Sequence, residues 1–166
     1  MKRLIIRPFM VFNGEYEDTI RNREGVINTS KLMEKILFDS EYLHYDRNRA
    51  VIINNGRRTD VFKQLRTFAE DIDLETEMLL FYFCGHGCPD YTSNKLYLAM
   101  KDTDFDYASD NGIAAETINE IITQYHIRYY AIILDCCHAG MHSLGSPNKA
   151  IYSISINDYS DSKGAF

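Results

Sequence analysis

The sequence predicts an α/β fold in which a mostly parallel sheet lies between two layers of helices. Strand-like and helix-like patterns alternate along the 166 residues, which is the order that parallel sheets with right-handed crossovers require. Two segments, residues 78–84 and 129–134, are continuously apolar and have the length of strands buried on both faces. We therefore expect a three-layer sandwich built around one core.

The first half of the chain contains two strand patterns and two helix patterns. The predicted elements are a strand at residues 4–6 ending before Pro8, a polar loop at 13–28, a helix face of Leu32, Met33, Ile36 and Leu37, a strand at 50–53, and a helix face of Val61, Phe62, Leu65 and Phe68 behind Thr59 or Asp60 as N-cap.

The second half repeats the alternation and ends its two most apolar strands in polar residues. Its predicted elements are strands at 78–84, 95–100, 129–134 and 150–156, and one helix with Ile118, Ile121, Ile122 and Tyr125 on its apolar face. The strand at 78–84 stops at Gly85-His86-Gly87, and the strand at 129–134 stops at Asp135-Cys136-Cys137-His138. Because sites in parallel sheets form at the carboxyl ends of strands, these two segments predict the functional site.

Composition restricts the classes of function. A net charge of -6 without a cluster of Lys and Arg argues against a nucleic-acid partner. The N-terminal apolar run is interrupted at Arg7 and Pro8, so we expect no signal peptide, no membrane span and a cytoplasmic location. The length fits a single domain covering residues 1–166. Four cysteines in such a chain are expected to be reduced, as nucleophiles, metal ligands or core residues.

A cysteine and a histidine at the tips of neighbouring strands can perform nucleophilic catalysis. A thiol needs a base close by, and the negative oxygen that forms on the attacked carbonyl needs hydrogen-bond donors. His86 is the candidate base and Cys137 the candidate nucleophile. Because glycine lets the backbone approach closely, the amides of Gly87 and Cys137 are the candidate oxyanion donors.

These segments resemble the two catalytic boxes of the caspase, metacaspase and bacterial caspase-like family. Residues 83–87 (FCGHG) are similar to its His-Gly box, and residues 135–140 (DCCHAG) to its Asp-x-Cys-x-x-Gly box. The separation of 51 residues, 137 minus 86, is close to the spacing of about 50 residues known for caspases. The resemblance implies a caspase-like fold and a cysteine endopeptidase, with this chain as its large, catalytic subunit.

Strand geometry and the resemblance both favour Cys137 over its neighbour. Successive side chains of a strand point to opposite faces, so Asp135 and Cys137 share a face while Cys136 points into packing. Cys84 and Cys88 are expected to be structural. The other histidines are expected to be surface or loop residues: His44, His126, His138 and His142.

The residues around the dyad suggest a substrate preference. Asp135 is the expected floor of the pocket for the side chain before the cleaved bond, which favours Lys or Arg, as in metacaspases. Arg23-Glu24-Gly25 can instead be aligned with the Arg-x-Gly of animal caspases, whose arginine binds a substrate aspartate. Where metacaspases carry an acidic residue four positions after this glycine, the chain has Thr29.

Three other chemistries fit the sequence less well than a peptidase does. A zinc site could draw on Cys84, Cys88, Cys136, Cys137 and His86, but neighbouring strand residues point apart and do not form a tetrahedron easily. A phosphatase needs an arginine six residues after the nucleophile, and His142 or Ser143 stands there. Asp102, Asp104 and Asp106 alternate like calcium ligands, but Tyr107 occupies the position of the EF-hand glycine. We expect no cofactor.

Only 29 residues follow Cys137, 166 minus 137, and family members complete the substrate groove with a smaller second segment. We therefore expect the small subunit to be absent from this chain, as a self-processed fragment, a fragment cut at that point, or a member with only the large part. Lys163 is a candidate self-cleavage point.

The expected partners are a protein substrate, a small subunit or C-terminal segment that completes the site, and a regulatory partner or second copy. By resemblance, the role would be an effector of bacterial antiviral defence or cell death, activated by partner binding or self-processing. The alternative is a catalytically silent caspase-like scaffold or sensor.

Overall fold

The computed structural model describes residues 4–39, 47–137 and 153–156. Expectations that fall on residues 150–152, His44, His138, His142 and Lys163 lie outside these ranges. No helix in the described part of the chain is long and apolar enough to cross a membrane.

The central sheet contains five strands in the order β2-β1-β3-β7-β8. The strands are β1 (Ile5–Phe12), β2 (Val51–Asn54), β3 (Glu77–Cys84), β7 (Tyr129–Asp135) and β8 (Ser153–Ile156). β2, β1, β3 and β7 are parallel, and β8 runs antiparallel to β7. The mostly parallel α/β fold expected from the alternating pattern is therefore confirmed.

Helices cover both faces of this sheet. They are α1 (Gly25–Phe38), α2 (Arg58–Glu70), α3 (Ala108–Asn111) and α4 (Ala115–Gln124). On one face, alternate residues of β1, β3 and β7 pack with α2 and α4 in the larger core. On the other face, Met10, Tyr82 and their neighbours pack against Val26 and Leu37 of α1. The two-sided burial explains why β3 and β7 lack polar alternation.

A second sheet of three short antiparallel strands lies beside the first. It contains β4 (Gly87–Asp90), β5 (Lys95–Leu98) and β6 (Ile113–Ala114) in that order. The strand expected at residues 95–100 belongs to this sheet as β5. Leu96 and Leu98 of β5 are buried in the larger core, so one face of the small sheet closes that core.

β1 is longer than the sequence pattern predicted. The expected end before Pro8 was wrong, because the strand continues to Phe12. Pairing with β2 begins only at Phe9, so β1 has a single neighbour at Pro8 and the strand tolerates the missing N–H. Because of this extension, β1 pairs with the whole length of β3, up to Cys84 at the carboxyl end of that strand.

The starts of α1 and α2 also differ from prediction. α1 begins at Gly25, inside the predicted loop at 13–28, and Leu32 and Ile36 are exposed. α2 takes no cap from Thr59 or Asp60. Instead the carboxylate of Asp102 accepts the first helical N–H, from Arg58, at 2.9 Å. A cap supplied from another part of the chain leaves no local signal in the sequence.

Candidate active site

The segments that follow β3 and β7 meet at one edge of the sheet. Cys84 is paired with Asp135 at the ends of these neighbouring parallel strands, so His86 and Cys137 each follow two residues later. The closest approach is at Gly87, where an added Cβ atom would lie 2.2 Å from the carbonyl oxygen of Cys137. The backbone after His86 is therefore in direct contact with the backbone of Cys137, and only glycine allows this contact.

The N–H of Gly87 is directed away from the neighbouring strand. Ala99 N donates to His86 O at 3.0 Å, and the register continues with Gly87 opposite Leu98. Because hydrogen-bonded and non-hydrogen-bonded pairs alternate along an antiparallel ladder, Gly87 falls in a non-hydrogen-bonded pair. Pro89, which has no N–H to donate, falls in the next pair of this kind. The Gly87 amide is thus available to a ligand at the edge of β4.

Cys136 and Cys137 have opposite surroundings. Cys136 packs against the larger core, and burial together with neighbouring Cys137 and Asp135 raises the pKa of its thiol to about 12. Cys137 is exposed. A buried thiol of such high pKa is a poor nucleophile, so Cys137 is the accessible thiol of the pair.

The ring of His86 is oriented by a main-chain carbonyl. His86 Nε2 lies 2.8 Å from Arg21 O, and a carbonyl oxygen can only accept a hydrogen bond. The proton is therefore on Nε2, and Nδ1 carries the lone pair that a base needs. The sequence contained no signal for Arg21, because its contribution is a backbone atom.

Arg23 lies at the same nitrogen of His86. Its Nε–H is directed at His86 Nε2 at 3.2 Å and competes for that nitrogen with Arg21 O. Because the contact to Arg21 O is the shorter, at 2.8 Å, it assigns the proton to Nε2, and Arg23 then acts as a cation beside the ring. Burial, and then the nearby Arg23 and Arg21 charges, lower the pKa of His86, although the hydrogen bond to Arg21 O opposes the shift. The geometry therefore favours the neutral imidazole.

Asp135 faces α1 on the side of the sheet away from Cys136. Its carboxylate accepts a hydrogen bond from Tyr82 Oη at 3.0 Å. Burial and the Asp135 carboxylate raise the pKa of Cys84 to about 12, and the Thr29 side chain also contacts this thiol. Asp135 is itself exposed. It forms no salt bridge with a cation among the described residues.

The five site residues selected from the sequence thus fall into two groups. His86, Gly87, Cys137 and Arg23 surround the end of β3, whereas Asp135 opens towards α1 from the end of β7. Sequence reasoning missed Tyr16, Arg21 and Phe105, which contact His86 from segments far from either box. The aromatic pair carried no periodic or motif signal.

A metal site is not assembled in the described residues. Within residues 4–39, 47–137 and 153–156, no three His, Cys, Asp or Glu side chains come together as a ligand set. Asp102 instead caps α2, and Asp104 accepts a hydrogen bond from Asp106 N at 3.0 Å. The alternation of these acidic residues therefore has a structural explanation.

Comparison with known proteins identifies one family. The model of the metacaspase, peptidase C14 domain matches residues 12–144. A search of curated proteins found no match. The matched region contains both segments that meet at the edge of the sheet, together with β2, β3 and β7 of the parallel sheet.

Proposed function

Since the chain belongs to the metacaspase family of C14 peptidases, and is thereby a caspase-like cysteine peptidase, we propose that Cys137 is its nucleophile and His86 its base. The observation that carries this assignment is the backbone contact between Gly87 and Cys137. It joins the two segments so closely that a carbonyl bound beside Cys137 also lies beside the loop that carries His86.

The proposed mechanism depends on which nitrogen of the neutral His86 ring carries the proton. The free Nδ1 takes the thiol proton as the Cys137 sulfur attacks the carbonyl carbon of the peptide bond. The amides of Gly87 and Cys137 bind the negative oxygen of the tetrahedral intermediate. His86 then gives its proton to the leaving amine, and water hydrolyses the acyl-enzyme to release the acid and the thiol. No step requires a metal or cofactor.

The leaving part of the substrate has room beside His86. A cavity of about 520 Å³ opens there, walled by Arg21, His86, Gly87, Tyr97 and Phe105 among others. A pocket of this size can accept residues that follow the cleaved bond, which supports cleavage within a protein chain rather than removal of a terminal residue. The expected substrate is accordingly a protein.

For the residue before the cleaved bond we favour Lys or Arg. Asp135 is the last residue of β7 and Cys137 follows two residues later in the turn, so the carboxylate is close along the chain to the acyl group that would be attached to that cysteine. Its carboxylate is exposed and hydrogen-bonded to Tyr82, and a basic side chain would supply its ion pair. Arg23 contacts His86, which belongs to the leaving-group side, and is therefore the weaker candidate for substrate selection.

The biological role and partners are proposed from the family resemblance. We expect an effector protease of a bacterial antiviral defence or cell-death system, active in the cytoplasm after partner binding or self-processing. A small subunit or C-terminal segment would complete the substrate groove, and a regulatory partner or second copy would control it. Comparing hydrolysis with and without a separately supplied C-terminal segment tests the need for that part.

Covalent labelling and a peptide panel test the proposed function together. A peptidyl electrophile should modify Cys137 and no other cysteine, as read by peptide mass spectrometry, and His86→Ala should slow the labelling. Fluorogenic peptides that differ only before the cleaved bond should show hydrolysis after Arg or Lys. Asp135→Asn should remove this preference, whereas Glu75→Gln, at an exposed carboxylate before the start of β3, should keep it. Hydrolysis after Asp that depends on Arg23 would reverse the specificity proposal.

A further inference from the structure

Two aromatic rings pack against the ring of His86. The ring centroid of Tyr16 lies 5.3 Å from that of His86, and the centroid of Phe105 lies 5.4 Å away with its ring nearly perpendicular at 87°. Tyr16 and Phe105 also contact each other edge to face at 5.2 Å. We call these two side chains the aromatic cage. Such edge contacts restrict how the imidazole can rotate.

Tyr16 is held in a fixed position by hydrogen bonds at both of its ends. Its hydroxyl accepts the main-chain N–H of His86 at 3.0 Å and donates to Asn13 O at 2.7 Å. Its own N–H donates to Asn22 Oδ1 at 2.8 Å. The side chain is only 3% exposed, and burial raises its pKa, so the hydroxyl keeps the proton that it donates. Tyr16 therefore fixes the backbone of His86 as well as its ring.

Phe105 packs against the imidazole beside Tyr16. It lies in the short 3-10 helix Phe105–Tyr107, whose first residue follows the capping residue Asp104. The guanidinium of Arg21 stacks over its ring at 5.2 Å from the centroid. Phe105 thus contacts both Arg21, whose carbonyl accepts the Nε2–H hydrogen bond, and the imidazole ring of His86.

We propose that Tyr16 and Phe105 are positioning residues that fix the His86 ring with Nε2 on Arg21 O and Nδ1 free for the Cys137 thiol. The inference rests on the proposed role of His86 as the base and adds the groups that give this base its orientation. Neither residue needs to touch the substrate for this role.

The cage also keeps water from the imidazole, and the lowered pKa of His86 has burial as its main cause. The titratable and charged groups on the elements around the ring come from five segments: Arg21, Arg23 and Tyr16 before α1, Cys88 and Asp90 of β4, Tyr97 of β5, Asp106 beside Phe105, and Cys137 after β7. Removing a cage ring would hydrate the imidazole and weaken the suppression of its charge. The acid limb of the activity profile would then move to higher pH, because His86 is inactive as a base once protonated.

The test compares removal of the Phe105 ring with removal of the Tyr16 hydroxyl, each in the full chain. Phe105→Leu should move the acid limb of kcat/KM to higher pH and lower kcat by about tenfold, as misorientation of a catalytic group does. Phe105→Tyr keeps the ring and should restore both values. Tyr16→Phe keeps the ring but loses the hydroxyl, so kcat should fall several-fold while KM changes little. Tyr107→Leu and Tyr107→Phe are the matched controls, because Tyr107 is 63% exposed.

A second readout does not depend on activity. NMR titration of the His86 ring, assigned with His86→Gln, should show a higher pKa in Phe105→Leu than in the unsubstituted protein and no change in the Tyr107 variants. A purely structural role would reduce the folded fraction without moving either titration, and that result would overturn the proposal. If the pKa of His86 rises in Phe105→Leu but Cys137→Ala retains hydrolysis, the role of the aromatic cage is supported and the assignment of Cys137 as the nucleophile is wrong.

Discussion

At His86 a main-chain carbonyl takes the place that a carboxylate holds in a three-residue triad. Arg21 O fixes the tautomer through Nε2, but a neutral carbonyl gives an imidazolium less stabilisation than a carboxylate does. Arg23 beside the same nitrogen opposes the positive charge further. These contacts favour the neutral ring, and in the proposed mechanism His86 becomes charged only during the attack of Cys137.

Gly87 gives the sharpest prediction at the residue scale. In Gly87→Ala the new Cβ would lie 2.2 Å from Cys137 O, so one of the two backbones must move. A displacement of about 1 Å in a catalytic group can cost about 100-fold in rate, and we expect kcat/KM to fall by at least that much. Strain in the packed site should cost about 1–3 kcal/mol in the free energy of unfolding.

Gly25→Ala is the matched control for this change. A Cβ at Gly25 would meet nothing within 4 Å, and alanine restricts the unfolded chain, so stability should stay equal or rise by about 0.5 kcal/mol. For both variants, peptide hydrolysis gives kcat/KM and urea unfolding gives the free energy of unfolding. Full activity in Gly87→Ala would show that the two backbones do not meet during catalysis.

At the scale of elements, local patterns predicted the strands and helices of the core but not the connections that build the site. β3 and β7 were predicted because strands covered on both faces must be apolar throughout. β4 (Gly87–Asp90) is short, half-buried and contains Pro89, so it lacks that signal. The segment before α1 is held by distant groups, such as Asn55 Oδ1, which accepts the N–H groups of Gly14 and Glu15.

The same contrast explains the candidate site. His86, Gly87 and Cys137 stand in two short motifs directly after apolar strands, so their sequence positions predicted which segments would meet. The cage residues Tyr16 and Phe105 reach His86 only after the chain has folded, and neither lies in an amphipathic element. Spacing along the chain therefore contained no information about them.

The cap of α2 provides the prediction at this scale. Asp102→Ala leaves the Arg58 N–H without its acceptor and should cost about 1 kcal/mol, the usual value for a lost N-cap. Thr59→Ala, at the cap position expected from the sequence, should cost no more than a few tenths of that value because no side-chain cap bond is present there. Urea unfolding distinguishes the two; an equal or larger loss from Thr59→Ala would support the local cap instead.

At the scale of the whole molecule, the proposed catalytic groups and the stabilising ion pairs lie at opposite ends of the sheet. Arg7 and Glu77 form a buried ion pair of 2.7 Å near the start of β1 and β3, with both side chains 2% exposed. Arg49 also contacts Glu77, and Asp73 N donates to it at 2.9 Å. β3 then runs about 25 Å before it reaches the edge that carries His86. A change at one end can therefore leave the other end intact.

Glu77→Gln tests this separation. It leaves the buried Arg7 charge with only the exposed Asp71 carboxylate as partner, and breaking a buried pair costs up to about 3–5 kcal/mol. The exposed pair of Glu75 with Arg128 is the control, where Glu75→Gln should cost less than about 1 kcal/mol. We expect kcat/KM per folded molecule to be unchanged in both, as measured below the unfolding transition. A large loss of kcat/KM in folded Glu77→Gln would contradict the separation.

The assignment of the nucleophile is tested most directly by replacing each of the adjacent cysteines. Hydrolysis of a fluorogenic peptide is measured for Cys137→Ala and Cys136→Ala, with folding of each protein checked by its thermal unfolding. The account predicts that Cys137→Ala folds normally and hydrolyses at the background rate, while Cys136→Ala retains hydrolysis. Equal loss from both substitutions, or hydrolysis that survives in Cys137→Ala, would contradict it.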